Sequence, residues 1–330
     1  MKVAGIDVDS KKTVVACHLD DKKKKPQKFD NTPDGHLSII KALQKAGVTR
    51  VCLEATGTYH LDLAVALHDA GFEVMVINPK AARRFFDALQ NRSKTDSVDA
   101  TMLAEFAQRM PFEPWQRPED DALRLRAYAR RIAALKATRT QAKNQLHAAT
   151  QTALTPPALI DDIKLRIAQL DAQIATLQAH AKALIDAAQE LREAFELLVS
   201  VTGIATASAL QILAELCVLP PELSAKQWVA MAGLDPRHFQ SGTSVNKKPR
   251  LAKAGNRYLR MALFMPALSA SRHDPNMRAY FLHLVEDRGL KKIQAICAVM
   301  RQLLHAIHGM LKTRTPFDGA RFYGAAETVS

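Results

Sequence analysis

Over residues 1–112 the apolar positions switch repeatedly between two periods. Lys2–Val8 reads as a short apolar strand with Asp7 near its end, and residues 13–19, rich in β-branched side chains, as a second. A lysine-rich turn, residues 20–25, follows. Residues 51–53 read as a third strand ending at Glu54, and residues 72–77 as a fourth, stopped by Asn78-Pro79. Between and after them, three-to-four spacing predicts helices over 37–46, 60–70 and 81–89. Strands interleaved with helices predict a mixed α/β domain.

Pro111, Pro114 and Pro118 then break the chain, and beyond them the strand signals vanish. Leu125, Tyr128, Ile132, Leu135, Ala142, Leu146 and Ala149 keep helical spacing up to Pro156-Pro157. A second run goes Ile160, Ile163, Ile167, Leu170, Ile174, Leu177, Ala181, Leu184, Ala188, Leu191, Phe195 and Leu198. That alternation of three and four predicts one long helix with a coiled-coil seam, folded back on the first as an antiparallel hairpin over 113–198. Residues 199–330 read as helical with loops. Around Gly203 the pattern is helix–Gly–helix, an ordinary helical corner or a phosphate-binding hairpin.

Charge sharpens this picture. The 330 residues carry 46 Lys and Arg against 33 Asp and Glu, a net charge of +13. Such an excess points to a polyanionic partner. Nucleic acid fits better than membrane, because no apolar run approaches the roughly 20 residues that span a bilayer. The start of the chain is too short in apolar residues for a signal peptide. Cys17, Cys52, Cys217 and Cys297 lie far apart with no CxxC pair, which argues against a disulfide framework or zinc knuckle and for free thiols in a reducing cytoplasm.

The excess is concentrated. The first hairpin helix carries Arg124, Arg126, Arg130, Arg131, Lys136, Arg139 and Lys143 with no acid after Asp121. It serves as scaffold, as spacer or as a row of phosphate contacts, for which Arg124, Arg130, Arg131, Arg139 and Lys143 are the candidates. From Pro236 to His273 there are eight basic residues and no acid, among them Lys247, Lys248, Arg250, Lys253, Arg257 and Arg260. Ser241 stands in this stretch, followed by Gly242. By residue chemistry alone it is either a turn serine between helices or a nucleophile set among cations. His305 and His308 share a helix face, but no third ligand accompanies them, so they read as surface or core histidines.

Four carboxylates form the second candidate site. Asp7 and Glu54 sit at predicted strand ends. Asp96 and Asp99 open a helix in Lys94-Thr95-Asp96-Ser97-Val98-Asp99 and share one face. Singly, each reads as a cap or turn acid. Together they offer hard oxygen ligands for Mg²⁺, and a pair of such ions would polarise a phosphate and stabilise the attacking and leaving oxygens.

Strand-Asp, strand-Glu and Lys-Thr-Asp-x-x-Asp resemble the N-terminal domain of the DEDD insertion-sequence transposases, the group of the Piv-like invertases and bridge-RNA-guided recombinases. Trp228-Val229-Ala230-Met231-Ala232-Gly233-Leu234-Asp235-Pro236, Gln240-Ser241-Gly242 and Lys253-Ala254-Gly255-Asn256-Arg257-Tyr258-Leu259-Arg260 resemble its C-terminal domain. The resemblance implies a ribonuclease-H-like (RuvC-like) domain over 1–112, the hairpin over 113–198 and a helical domain over 199–330. It implies Asp7, Glu54, Asp96 and Asp99 as metal-binding acids, with two Mg²⁺, and Ser241 as the nucleophile that forms a phosphoserine bond to DNA. It also implies an element-encoded bridge RNA pairing with target and donor DNA, and a homo-oligomer, a tetramer, in the cytoplasm at the nucleoid. Three alternatives stand beside it. A metal-dependent RuvC-like nuclease would need the acids but not Ser241. An actin- or sugar-kinase-like ATP-using enzyme would use Gly5-Ile6-Asp7 with Ser10-Lys11 as a phosphate hairpin. A non-catalytic nucleic-acid binder would need neither site.

Overall fold

The computed structural model describes residues 2–19, 22–23, 25–90, 95–241 and 245–323, and for 17–19, 22, 23, 238, 241 and 245–248 the backbone alone. The chain divides into two compact units, residues 1–117 and 118–330.

The first unit is a three-layer α/β sandwich. Its strands are β1 (Lys2–Val8), β2 (Lys12–Leu19), β3 (Lys22–Lys23), β4 (Gln27–Asp30), β5 (Arg50–Glu54) and β6 (Glu73–Ile77); its helices are α1 (Pro33–Ala46), α2 (Leu61–Asp69), α3 (Pro79–Ala88) and α4 (Asp96–Arg109). The sheet order is β3-β2-β1-β5-β6, with β4 also on β2. β1 runs antiparallel to β2 and parallel to β5, which is parallel to β6. The four strands and three helices expected from the periodicity are present. β3 and β4 are additions, short and polar enough to carry no alternation.

Strand alternation separates the two faces. Ala4, Ile6 and Val8 of β1 join Val51 and Leu53 of β5 in a core with Ile39 and Leu43 of α1 and Leu63 and Leu67 of α2. Val3 and Cys52, on the opposite face, pack with Met75, Ala82 and Leu103, Ala104 and Ala107 of α4. Asp7 and Glu54 therefore belong by parity to the face that α4 covers.

The second unit is mostly helical. It contains α5 (Asp120–Ala149), α6 (Pro157–Ala187), α7 (Gln189–Val199), α8 (Thr206–Leu216), α9 (Ala225–Ala232), the strands β7 (Pro236–Ser241) and β8 (Val245–Leu251), α10 (Arg257–His273), α11 (Pro275–Leu282), α12 (Lys292–Thr313) and α13 (Gly319–Phe322). α5 and α6 form the expected hairpin. Tyr128 meets His180 and Arg139 meets Asp171, one index rising as the other falls, so the helices are antiparallel.

Two expectations are corrected here. The second hairpin helix is not continuous: it stops at Ala187, Ala188 is extended at φ −104°, ψ 114°, and α7 starts afresh. The three-to-four spacing survives because Phe195 and Leu198 still face a core, now shared with α8 and α12. The segment around Ser241, expected as a loop or turn between helices, is flanked by two strands. β7 and β8 pair antiparallel from Pro236↔Leu251 to Ser241↔Val245, with a bulge between Arg237 and Phe239. No described helix is long and apolar enough to cross a membrane, and Cys52, Cys217 and Cys297 are free thiols.

Candidate acidic and serine sites

The acidic site is assembled by backbone contact. Ile6 pairs with Leu53 at the last register position of β1 and β5, so Asp7 and Glu54 are the next residues along two adjacent parallel strands. α4 descends on β1 so closely that a Cβ on Gly5 would lie 2.0 Å from the Ala100 carbonyl oxygen and 2.2 Å from the Ala104 nitrogen. Only glycine admits this approach. Thr95 caps α4, its side chain accepting from the Val98 amide, and Asp96 and Asp99 occupy the first turn. Negative charge there is favoured by the helix dipole. Ser93 and Lys94 of the motif lie outside the described residues.

The electrostatics of Asp7 link these acids. Its carboxyl is pushed up from the ordinary 3.8 to about 6, first by burial and then by Asp99, Asp96, Glu54 and Asp9. Every charged group that shifts it is another carboxylate. Thr56 Oγ1 donates to Glu54 Oε1 at 3.1 Å, orienting the strand-end glutamate. The other three predicted acids thus lie within electrostatic reach of Asp7. Asp9, which matches no motif acid, contributes as well; its odd-numbered place after Asp7 was the available signal. Among the described residues no three Asp, Glu, His or Cys side chains already close around a single point as metal ligands do.

Ser241 ends β7. Its backbone is described, its side chain is not, and Gly242 with the side chains of Lys247 and Lys248 also lies outside the described residues. The base of this hairpin is cross-braced. The Ala252 amide donates to the Asp235 carbonyl at 2.9 Å, Lys253 to Gly233 at 3.2 Å and Asn256 to Met231 at 2.7 Å. Gly255, at φ +143°, lies so near Met231 that a Cβ would sit 2.2 Å from its carbonyl oxygen. Arg260 Nη1 donates to the Ala232 carbonyl at 2.8 Å.

Below the brace is a feature that pattern reading missed. Glu215, buried in α8, accepts from Arg130 Nε at 2.9 Å, Arg130 Nη2 at 3.0 Å and Asn256 Nδ2 at 2.6 Å. Asn256 also caps α10, accepting from the Tyr258 and Leu259 amides. The hydrogen bond to Glu215 raises the Arg130 pKa.

The predicted nucleic-acid contacts therefore divide. Arg130, Arg139 and Arg260 are half-buried and engaged with Glu215, Asp171 and the Ala232 carbonyl. Arg124 is exposed and pairs with Asp121. Arg131, Lys143, Arg250, Lys253 and Arg257 are exposed, and Arg257 lies over the Tyr258 ring at 4.9 Å. His308 is structural: it bonds the Leu223 carbonyl at 2.8 Å and meets Trp228 edge-on.

A carboxylate cluster at parallel strand ends, in a chain that also carries a strongly basic unit, is the combination used by enzymes that act on nucleic-acid backbones. Known proteins narrow it. Residues 4–154 match the family model DEDD_Tnp_IS110, described as a transposase, and residues 195–282 match that described as transposase IS116/IS110/IS902 family. The pilin gene-inverting protein of Moraxella bovis is 30% identical over 322 residues, 95% of this chain and 97% of the relative. That of Moraxella lacunata is 29% identical over the same length. RuvC from T. thermophilus, in complex with a Holliday junction substrate, aligns with 34% of this chain and 98% of its own at a TM-score of 0.28 and 16% identity. The chain belongs to the IS116/IS110/IS902 family of transposases and is a DNA recombinase. Membership decides against the ATP-using and non-catalytic alternatives.

Proposed function

We propose that this recombinase cuts DNA with Ser241 and rejoins it by reversing the same reaction. The Ser241 hydroxyl attacks a backbone phosphorus, an Oγ–P bond forms, the bond from phosphorus to one deoxyribose oxygen breaks, and that oxygen leaves as a hydroxyl with the proton lost by serine. The phosphodiester count is conserved, so a deoxyribose hydroxyl of a new partner strand can attack the phosphoserine and release the enzyme unchanged. The braced β7–β8 base and the acid-free run around it support this role, since the entering phosphate is met by cations.

The observation that carries the reading is the electrostatic position of Asp7. A partly buried carboxyl ringed by Asp99, Asp96, Glu54 and Asp9 is a costly arrangement for a fold and a favourable one for divalent cations. The donor set fits Mg²⁺ and is large enough for two ions held by Asp7, Glu54, Asp96 and Asp99. Bound there, the ions would supply Lewis-acid stabilisation of phosphate oxygens. The chain's own acids hold that position, and Gly5 and Thr95 fix where α4 presents its pair. The first unit is read as ribonuclease-H-like and the α5–α6 hairpin as a coiled-coil spacer. The exposed Arg131, Lys143, Arg250, Lys253 and Arg257 are the phosphate contacts left once the internally paired arginines are set aside. A guide RNA pairing with target and donor DNA, a tetrameric assembly, and action at the nucleoid in the cytoplasm complete the reading. Inversion is the outcome for which the two Moraxella relatives are named.

Incubation of the protein with Mg²⁺, element-derived RNA and labelled DNA ends, followed by denaturation, tests it. A labelled protein–DNA adduct that disappears in Ser241→Ala and in Asp7→Ala is expected. Cleaved DNA without an adduct, unaffected by Ser241→Ala, would make the enzyme a metal-dependent nuclease.

A further inference from the structure

The paired register of β1 and β5 runs from Val3↔Arg50 to Ile6↔Leu53 and stops short of Asp7 and Glu54. Past the acids each strand enters a turn of its own, residues 9–11 after β1 and 55–60 after β5. Two strand ends that share a cation need the gap between them held, because ligand oxygens serve one ion only at a set separation.

Asn31, the residue after β4, bridges the two turns. Its Nδ2 donates to the Asp9 carbonyl at 2.9 Å and to the Tyr59 carbonyl at 3.2 Å, and its backbone amide donates to the Lys11 carbonyl at 2.9 Å. Its Oδ1 lies 2.7 Å from His36 Nε2. Exchanging the amide oxygen and nitrogen would set oxygen against two carbonyl oxygens, so the orientation is fixed and His36 Nε2 is the donor. His36 is itself held. It is buried in the first turns of α1, and its amide donates at 2.8 Å to the carbonyl of Thr32, the residue that caps this helix. Every hydrogen-bonding group of the Asn31 side chain is thus in use.

Both turns lead back to the acids. Asp9 stands two residues past Asp7, and its amide closes the first turn on the Lys12 carbonyl at 2.9 Å. In the second, Thr56 donates its hydroxyl to Glu54 Oε1 at 3.1 Å and its amide to the Glu54 carbonyl at 2.9 Å. Asn31 and His36 act from the side of α1, while α4, closing over Gly5, brings Asp96 and Asp99 from the other face of the sheet.

We propose that Asn31, oriented by His36, is a positioning residue of the acidic site: its amide holds the turns after Asp7 and Glu54 at one spacing and so sets how tightly these carboxylates bind a divalent cation. Asn31 and His36 act through the turns and are not ligands. The inference rests on the metal reading above and is independent of Ser241.

Titration of the full-length, DNA-free protein with Mn²⁺, followed by the electron paramagnetic resonance of the free ion, tests it. Glu54→Gln should weaken binding and so places the ion at the acids. Asn31→Ala is expected to raise the Mn²⁺ dissociation constant by about 10-fold, the effect usual for a partner that orients metal ligands from behind. His36→Leu should raise it less. His36→Gln, which keeps an N–H donor near the place of Nε2, should bind as wild type. A merely structural Asn31 would lower the melting temperature in Asn31→Ala and leave the dissociation constant unmoved, which overturns the proposal. So does a His36→Gln protein that binds no better than His36→Leu, and this pair decides alone if Asn31→Ala does not fold. Binding weakened by Glu54→Gln but unchanged by Asn31→Ala removes the positioning role and leaves the metal reading standing. A wild type that binds no Mn²⁺, or binds it equally well as Glu54→Gln, overturns the metal reading and this proposal with it.

Discussion

Glu215 in the second unit and Asp7 in the first are both carboxylates drawn out of water, but into opposite company. Glu215 receives two N–H groups from Arg130 and one from Asn256, and so ties α5, α8 and the start of α10 together. Asp7 has Asp99, Asp96, Glu54 and Asp9 for neighbours, and its proton is held to about pH 6. A carboxylate placed for structure is given its counter-charge by the fold. One left by the fold in repulsion, as Asp7 is, suits the role of metal ligand proposed for it.

Removing the compensated charge has the largest effect on stability. Glu215→Ala leaves Arg130 half-buried without its partner and Asn256 without its acceptor. It is expected to cost about 3–5 kcal/mol in the second unit, read by urea unfolding. A loss under about 1 kcal/mol would show that Glu215 is not the brace described.

Gly5→Ala attacks the other side. The new methyl meets the α4 backbone, which must move away and carry Asp96 and Asp99 with it. A loss on the order of 3 kcal/mol is expected together with loss of strand cleavage. Full cleavage in a folded Gly5→Ala protein would separate α4 from the site.

Asp7→Asn should do the reverse for stability. The folded carboxyl titrates near 6 and the unfolded one near 3.8. Its favourable contribution is therefore complete below 3.8 and lost as pH rises through 6. At about pH 8 without divalent ions, Asp7→Asn is expected to melt a few degrees higher than wild type while losing strand cleavage, and the gain should vanish below about pH 4. Mg²⁺ should raise the wild-type melting temperature and leave that of Asp7→Asn nearly unmoved. A variant that melts lower at high pH would mean that Asp7 is a structural acid like Glu215.

The smallest effect belongs to the solvent-facing pair between the hairpin helices. Asp171→Ala removes the partner of Arg139 where both remain partly exposed, and about 0.5 kcal/mol is expected from thermal unfolding. A value near that of Glu215→Ala would erase the distinction between exposed and buried pairing.

Much of the first unit is legible from periodicity, because its long strands are buried on both faces and its helices on one. The four acids are legible as strand-end and helix-start residues. What was not legible depends on partners distant in sequence. Arg130 looks like one member of an unopposed basic row until Glu215, 85 residues on, comes to meet it. Gly5 reads as an ordinary strand glycine until α4 arrives from residue 96 onward. β7 and β8 escaped because Pro236–Ser241 and Val245–Leu251 are largely polar and form an isolated two-stranded ribbon with no apolar face to alternate. The stop at Ala188 escaped because the spacing continues through it while the partner helices change.

The packing of α4 against β1 also sets a schedule for synthesis. The first strand leaves the ribosome with Asp7 in place, but the helix that completes the acidic cluster lies some ninety residues later in the chain. Domains fold as units during translation, N-terminal first. Throughout that interval the nascent polypeptide has only part of the acidic cluster, which is completed only when the whole first unit can close. Premature termination anywhere before α4 releases a fragment without Asp96 and Asp99, in which the metal site proposed above has only half of its acids.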